Sequence, residues 1–256
     1  MIASSQNRKI KLVRALAGRP KERREAGAFL AEGVRLVEEA NAAGWPFRFV
    51  LYSDELGERG GELLQKLRSR DIDVERVDRR LMQSLGDTET PQGILAVLDD
   101  HELSMAGPLD FLLIPDSVRD PGNLGSLLRS AEAAGVQAVL LPPESVDPFS
   151  PKVVRAGMGA HFRLPIQAMS WERIRETCQG LTVYLADMHG AACWKVDFRS
   201  PLALMIGGEA AGATEPARKL ADRLVSIPML GKAESLNAAV AGSVLVFEVL
   251  RQRSDV

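Results

Sequence analysis

The chain has 256 residues, 46% of them apolar and 26% charged, the balance of a globular protein that buries roughly 70% of its unfolded surface without staples. A net charge of −2 excludes a polycation, and an aromatic content of 5% argues against nucleic-acid recognition built mainly on stacking platforms. Cys178 and Cys193 form no CxxC and meet no clustered histidines, so no metal site is expected, and without a disulfide framework a cytoplasmic location is the default. The N-terminus lacks an apolar signal core, and Ser235–Phe247, the longest nearly uncharged stretch, is too short to span a bilayer.

Residues 5–26 are predicted to form a basic helical segment. Eight cations (Arg8, Lys9, Lys11, Arg14, Arg19, Lys21, Arg23, Arg24) stand against one acid, Glu22, in the first 24 residues. A basic arm on a neutral body is the footprint of phosphate binding, although a solvated surface helix has the same composition. A helix through Val34, Leu36, Val37 and Ala40 follows, then a strand at Arg48–Ser53, a helix over 59–70, a weak strand at Val74–Val77 and a stronger one at Gly93–Leu98. This alternation predicts a small α/β domain over 1–99. Residues 100–108 are mostly polar, end in Gly107-Pro108, and are assigned as a linker to a second domain over 109–256.

In that second domain the strand candidates are Phe111–Ile114, Ala138–Leu141, Thr182–Leu185, Leu202–Ile206 and Val225–Ile227, with helical patterns between most of them. Short apolar strands alternating with helices imply a parallel sheet covered on both faces, whose ligands sit beyond the carboxyl ends of the strands. Three loops follow such ends. After Ile114, Asp120-Pro121 offers an N-cap and a first-turn proline. Leu124, Leu127, Leu128 and Ala131 then form a core stripe that leaves Asn123 and Arg129 uncovered. After Ile206, Gly207 and Gly208 allow close backbone approach ahead of Glu209. After Ile227 the loop passes Met229 and Gly231, and a helix is expected to begin near Ser235, with positions 238–247 buried on every face. Read singly, the three loops also fit a capped surface helix, a strand–turn–helix corner and a central core helix.

Together they resemble the SpoU/TrmH family of the SPOUT methyltransferases. Asn123-x-Gly-x-x-x-Arg129 matches the family's first motif and Ile206-Gly207-Gly208-Glu209-x-x-Gly212 its second. Ile227-Pro228-Met229 with Ser235-Leu236-Asn237 matches its third. Arg155–Pro165 is also similar to a family segment. Phe29-Leu30-Ala31-Glu32-Gly33-x-Arg35-Leu36-Val37 resembles the RNA substrate-binding domain often fused to these enzymes. Ala238 and Ala239 stand where relatives often carry Val and Ser.

The resemblance implies a C-terminal parallel sheet with a deep trefoil knot, which periodicity alone would not have predicted. It also implies a homodimer and S-adenosylmethionine bound at Gly207, Ile227, Met229 and Leu236. The implied activity is methylation of a ribose 2′-hydroxyl, in large-subunit ribosomal RNA first and transfer RNA second. Arg129 is implicated in activating the hydroxyl, with Asn123, Ser235 and Asn237 positioning it and Glu209 holding substrate or orienting Arg129. Arg8, Lys9, Lys11, Arg14, Arg23, Arg24 and Arg35 are the candidate RNA contacts. Three other readings compete: methylation of a base, a non-catalytic RNA-binding assembly factor on a degenerate fold, and a doubly wound oxidoreductase. The missing GxGxxG disfavours the oxidoreductase.

Overall fold

The computed structural model describes residues 1–86, 92–208, 212–232 and 235–254. It divides into two units, Met1–His101 with Phe149–Phe162, and Glu102–Pro148 with Arg163–Val256.

The first unit opens with two helices, α1 (Arg8–Ala17) and α2 (Pro20–Ala26), where the sequence suggested one. Gly18 closes α1 by returning its N–H to the Ala15 carbonyl, and Pro20, with no N–H to give, starts α2. The chain continues through β1 (Ala28–Glu32), α3 (Val34–Ala42), β2 (Phe47–Tyr52), α4 (Glu58–Ser69), β3 (Val74–Arg76), α5 (Arg79–Gln83) and β4 (Ile94–Asp99). The strands form one sheet in the order β1-β4-β2-β3, with β4 antiparallel to β1 and β2, and β2 parallel to β3. On one face Ile10, Val13 and Leu16 of α1 pack with Leu30, Leu51, Leu95 and Val97. Alternate strand positions such as Ala31, Val50 and Ala96 are also fully buried and point to the other face, the side of α3 and α4.

The second unit runs through β5 (Phe111–Asp116), α6 (Pro121–Ala133) and β6 (Ala138–Leu141). Here the chain enters the segment Phe149–Phe162 with its helix α7 (Pro151–Gly157), then returns for β7 (Ile166–Ala168), α8 (Trp171–Thr177), β8 (Thr182–Ala192), β9 (Leu202–Gly207), α9 (Glu215–Leu220), β10 (Arg223–Ser226) and α10 (Ala238–Arg253). Its sheet has the order β10-β8-β9-β5-β6-β7, and every neighbouring pair is parallel. Leu112, Ile114, Ala203, Met205, Val183 and Leu185 meet Ile174 of α8 and Ala217 of α9 on one face. α6 and α10 pack together, joined by the Ser130–Ser243 hydroxyl bond of 2.7 Å.

Two expectations about α10 change. Its N-cap is Asn237, whose side-chain oxygen accepts from the N–H groups of Ala239 and Val240, and not Ser235. Nor is it buried all round. Ala238, Ala239, Gly242, Leu245, Val246 and Val249 face inward, but Val240 is 49% exposed and Phe247 45%. With the half-buried Val244 between them, these two mark an i, i+4, i+7 apolar stripe on the surface.

Phe149–Phe162 serves the first unit. Phe29 of β1 lies 5.0 Å from the Phe149 ring and 6.4 Å from Phe162, and Trp45 lies 5.2 Å from Phe162. A fragment beginning at residue 109 would therefore keep this segment without the strand against which α7 packs.

Candidate functional site

The site lies at the carboxyl ends of the second unit's strands, where ligands of open parallel sheets gather. Asp120 caps α6 by accepting the Asn123 N–H at 2.8 Å, and Pro121 occupies the first turn. Leu124, Leu127, Leu128 and Ala131 are fully buried. Asn123 is half-buried, and Arg129 is exposed and forms no ion pair with another described residue.

A cavity of about 530 Å³ opens beside these loops, within the size range of small-molecule sites. Gly207, Ile227, Met229, Leu236 and Ser235 all line it. From Ile227 to Leu230 the chain has left the sheet, so its peptide groups are outside the strand ladder. Ala238, Ala241 and Leu245 of α10 supply apolar wall. Asn237 lies in sequence between the lining residues Leu236 and Ala238, and its Nδ2 donates to Asn123 Oδ1 at 2.9 Å, which joins the first and third motifs. Glu209 lies outside the described residues.

Gly207 acts differently from the sequence argument. A Cβ there would sit 2.7 Å from Ala213 N and 2.8 Å from the Gly212 carbonyl carbon. The glycine is required because the Gly212–Ala213 backbone occupies its Cβ position, not because a Cβ would fill the cavity that it lines.

Sequence reasoning missed the charged part of the wall. Ala186, Asp187, Met188 and His189 line the cavity from β8, and Arg218 from α9. Asp187 pairs with Arg218 at 3.2 Å and accepts the His189 N–H at 3.0 Å. The rule that led to the loops after Ile114, Ile206 and Ile227 applies equally to the residues after Leu185, and would have found Asp187.

The basic segment of the first unit is corrected in part. Arg23 is only 5% exposed, and its guanidinium donates to the carbonyls of Leu16 at 2.6 Å and Gly18 at 3.0 Å. It caps the end of α1, so it is withdrawn as an RNA contact. Lys9 is held by Asp73 at 2.6 Å and Glu75 at 2.9 Å, which neutralise it. Arg14 reaches Ser84 Oγ at 3.5 Å. Arg8, Lys11, Arg24 and Arg35 are exposed and form no ion pair with described residues. The described residues hold no group of His, Cys, Asp and Glu fit for a metal, and none of their helices is long and apolar enough to cross a membrane.

This arrangement defines an α/β protein of the class whose parallel-strand loops wall a single-ligand cavity. Residues 110–247 match the family model described as SpoU rRNA Methylase family, and residues 7–96 match the MRM3-like substrate binding domain. The chain belongs to the SpoU rRNA methylase family. It is 36% identical to a 23S rRNA (uridine(2479)-2′-O)-methyltransferase of Streptomyces viridochromogenes, over 98% of this chain and 92% of the relative. It is 34% identical to the 23S rRNA (guanosine(2553)-2′-O)-methyltransferase RlmP of Bacillus subtilis, over 97% and 98%. The crystal structure of an AdoMet-bound rRNA methyltransferase from Sinorhizobium meliloti superposes with a TM-score of 0.87 at 30% identity, covering 99% of this chain and 98% of that one.

Proposed function

We propose that this chain is an S-adenosylmethionine-dependent methyltransferase acting on a ribose 2′-hydroxyl of large-subunit ribosomal RNA. The observation that carries the reading is that the second and third motifs line one cavity and the first is bonded to the third through Asn123 and Asn237, in a chain whose relatives of similar length are named for that reaction. The cavity fits the cofactor: the backbone at Ile227 and Met229 and apolar walls from Leu236, Ala238 and Leu245 suit a nucleoside, and the Asp187–Arg218 pair suits a zwitterionic tail.

S-adenosylmethionine supplies an electrophilic sulfonium methyl when bound. Gly207, Ile227, Met229 and Leu236 would hold it. Asn123 and Asn237, already bonded to each other, and Ser235 would position the ribose, and Glu209 is assigned to hold substrate or orient Arg129. Arginine is almost never deprotonated, so Arg129 is assigned as an electrostatic clamp that lowers the cost of the developing alkoxide. Arg8, Lys11, Arg14, Arg24 and Arg35 would bind RNA phosphates, with Lys9 contributing less because of its carboxylate partners.

The finer architecture belongs to the same proposal. The domains are taken as 1–99 and 109–256 joined by the linker 100–108, with Phe149–Phe162 lent by the second to the first; the C-terminal chain forms a deep trefoil knot, and the protein works in the cytoplasm as a homodimer. The exposed Val240 and Phe247 on α10 support the dimer, because they continue a helix that is otherwise core. Mapping 2′-O-methyl sites in ribosomal RNA from cells with and without the gene tests the function. Loss of one large-subunit site is expected. A lost site in transfer RNA, or none, would reassign the substrate or favour an assembly factor.

A further inference from the structure

We infer that Asp116 is a positioning residue for the cofactor cavity, holding through Thr214 the wall residues Gly212 and Ala213 beside Gly207 and Gly208. The inference rests on the cofactor reading above. Asp116 is the last residue of β5, fully buried, and is not among the residues that line the cavity. Its carboxylate accepts the Thr214 N–H at 2.6 Å and the Thr214 hydroxyl at 3.1 Å. Thr214 Oγ1 in turn accepts the Ala217 N–H at 3.4 Å and so caps α9.

Both ends of the turn are thereby tied to one residue. In the sheet Asp116 is the register partner of Gly207, where the turn leaves β9. At Thr214, where it enters α9, the carboxylate holds the backbone. Gly207, Gly208, Gly212 and Ala213, between these ends, line the cavity. Gly208 presses so closely on the peptide after Ser117 that a Cβ there would stand 2.3 Å from Ser117 O, and 3.4 Å from Asp116 O. Ser117 itself is in the left-handed region at φ 54°, so the β5 end of the contact is shaped as well as the turn.

The choice of an acid here is informative. Burial raises the carboxyl pKa, Thr214's two bonds lower it, Glu144 raises it and Arg218 lowers it, and the balance is upward. An ionised group at this position therefore costs stability relative to an apolar one. What it provides is two acceptors aimed at one residue of the opposing loop, which no apolar side chain of that volume can supply.

The test uses the full-length chain and the variants D116A, D116N, T214V and T214S. Asn can accept from the Thr214 N–H and donate to its hydroxyl, and Ser keeps the hydroxyl, so these two are the conservative rescues. We expect D116A to raise both the dissociation constant and the KM for S-adenosylmethionine roughly tenfold, the size of a lost charge-assisted bond. The KM for RNA should stay within about twofold, a split that general damage to the fold would not give. D116N and T214S should bind within about threefold of the parent. The double variant D116A/T214V should lose less affinity than the product of the two single losses, because both changes remove the bond between Asp116 and the Thr214 hydroxyl. Parental cofactor affinity in folded D116A, or independent multiplying losses in the double variant, overturns the inference. If D116A fails to fold, T214V decides, and parental affinity there overturns it. Should the parent bind no S-adenosylmethionine, the functional reading fails. Hydrogen exchange at the Thr214 amide then judges the positioning role by itself: faster in D116A supports it, unchanged refutes it.

Discussion

Replacing Gly190 with Ala probes the seam between the cavity and the sheet. β10 pairs with β8 in two pieces: Leu224 lies opposite Leu185, but Val225 lies opposite Ala191. The β8 residues skipped by this register, Ala186 to Gly190, include the four that line the cavity. The seam closes at Gly190, whose carbonyl accepts from Ser226 Oγ at 2.9 Å. A Cβ on Gly190 would stand 2.3 Å from Val225 N, 2.5 Å from the Leu224 carbonyl carbon and 2.6 Å from the Val225 carbonyl carbon. Ordinary non-bonded contact needs about 3.5 Å, so β10 must retreat by roughly 1 Å, and the obstacle is backbone that no rotamer change can clear. Overpacking of this kind costs about 1–3 kcal/mol. Adding one strained ladder bond at about 1 kcal/mol puts the loss near 3 kcal/mol. At roughly 2–4 °C per kcal/mol for a chain of this size, melting should fall by about 6–12 °C. Because Val225, Ser226 and Ile227 line the cavity, affinity for S-adenosylmethionine should fall about tenfold with it. Gly231→Ala is the control, since its Cβ would enter open space at an ordinary φ, and it should melt and bind like the parent. Scanning calorimetry and isothermal titration read both quantities. A Gly190→Ala protein that melts within about 2 °C of the parent and keeps its affinity would falsify the close-approach argument.

Arg129→Ala should leave circular dichroism and cofactor affinity unchanged, because the side chain is exposed and touches no cavity wall, while methyl transfer falls by about a thousandfold; substantial residual turnover would remove Arg129 from the mechanism. Replacing Arg8, Lys11 and Arg24 together with Ala should weaken RNA binding and flatten the log–log salt slope by about 2, at about 0.7 per contact on single strands. An unchanged slope across a salt titration would make α1 and α2 a solvated surface. Val240→Asp and Phe247→Asp each place a charge on the exposed stripe of α10 and should convert a homodimer to a folded monomer in light scattering; a parent that is already monomeric at micromolar concentration refutes the dimer.

Local signals were the legible part of this fold. Asp120-Pro121 announced the start of α6, and the Leu124, Leu127, Leu128, Ala131 spacing is its buried stripe. The runs at Ala138–Leu141 and Leu202–Ile206 became neighbours of β5 in a parallel sheet, as their unbroken apolar character implied. β7 was missed because Ile166–Ala168 is three residues long and only half-buried at Ile166. The break between α1 and α2 was written in Gly18-Arg19-Pro20, but the charge run around it read as continuous helix. Ser235 and Asn237 are both good caps, and only the closure of the first turn on Ala239 and Val240 selects Asn237. Arg23 carries the composition of a phosphate contact and the environment of a helix cap, a distinction made by carbonyls that folding aims at it. Asp116 and Thr214 stand 98 residues apart, and no periodicity links them. Local propensity and spacing are read along the chain, whereas such partnerships exist only after the sheet order is set.

The most direct test of the account is the chemical form of the methylated product. The purified chain is incubated with unmodified large-subunit ribosomal RNA and S-adenosylmethionine labelled in its methyl group, and the RNA is then hydrolysed in alkali. Alkali cleaves RNA through the free 2′-hydroxyl, so a 2′-O-methylated ribose blocks cleavage at its own 3′ side. A ribose 2′-O-methyltransferase puts the label in a single alkali-resistant dinucleotide, absent with Arg129→Ala. Label released in ordinary mononucleotides would mean methylation of a base, and no label in any RNA would contradict the enzyme.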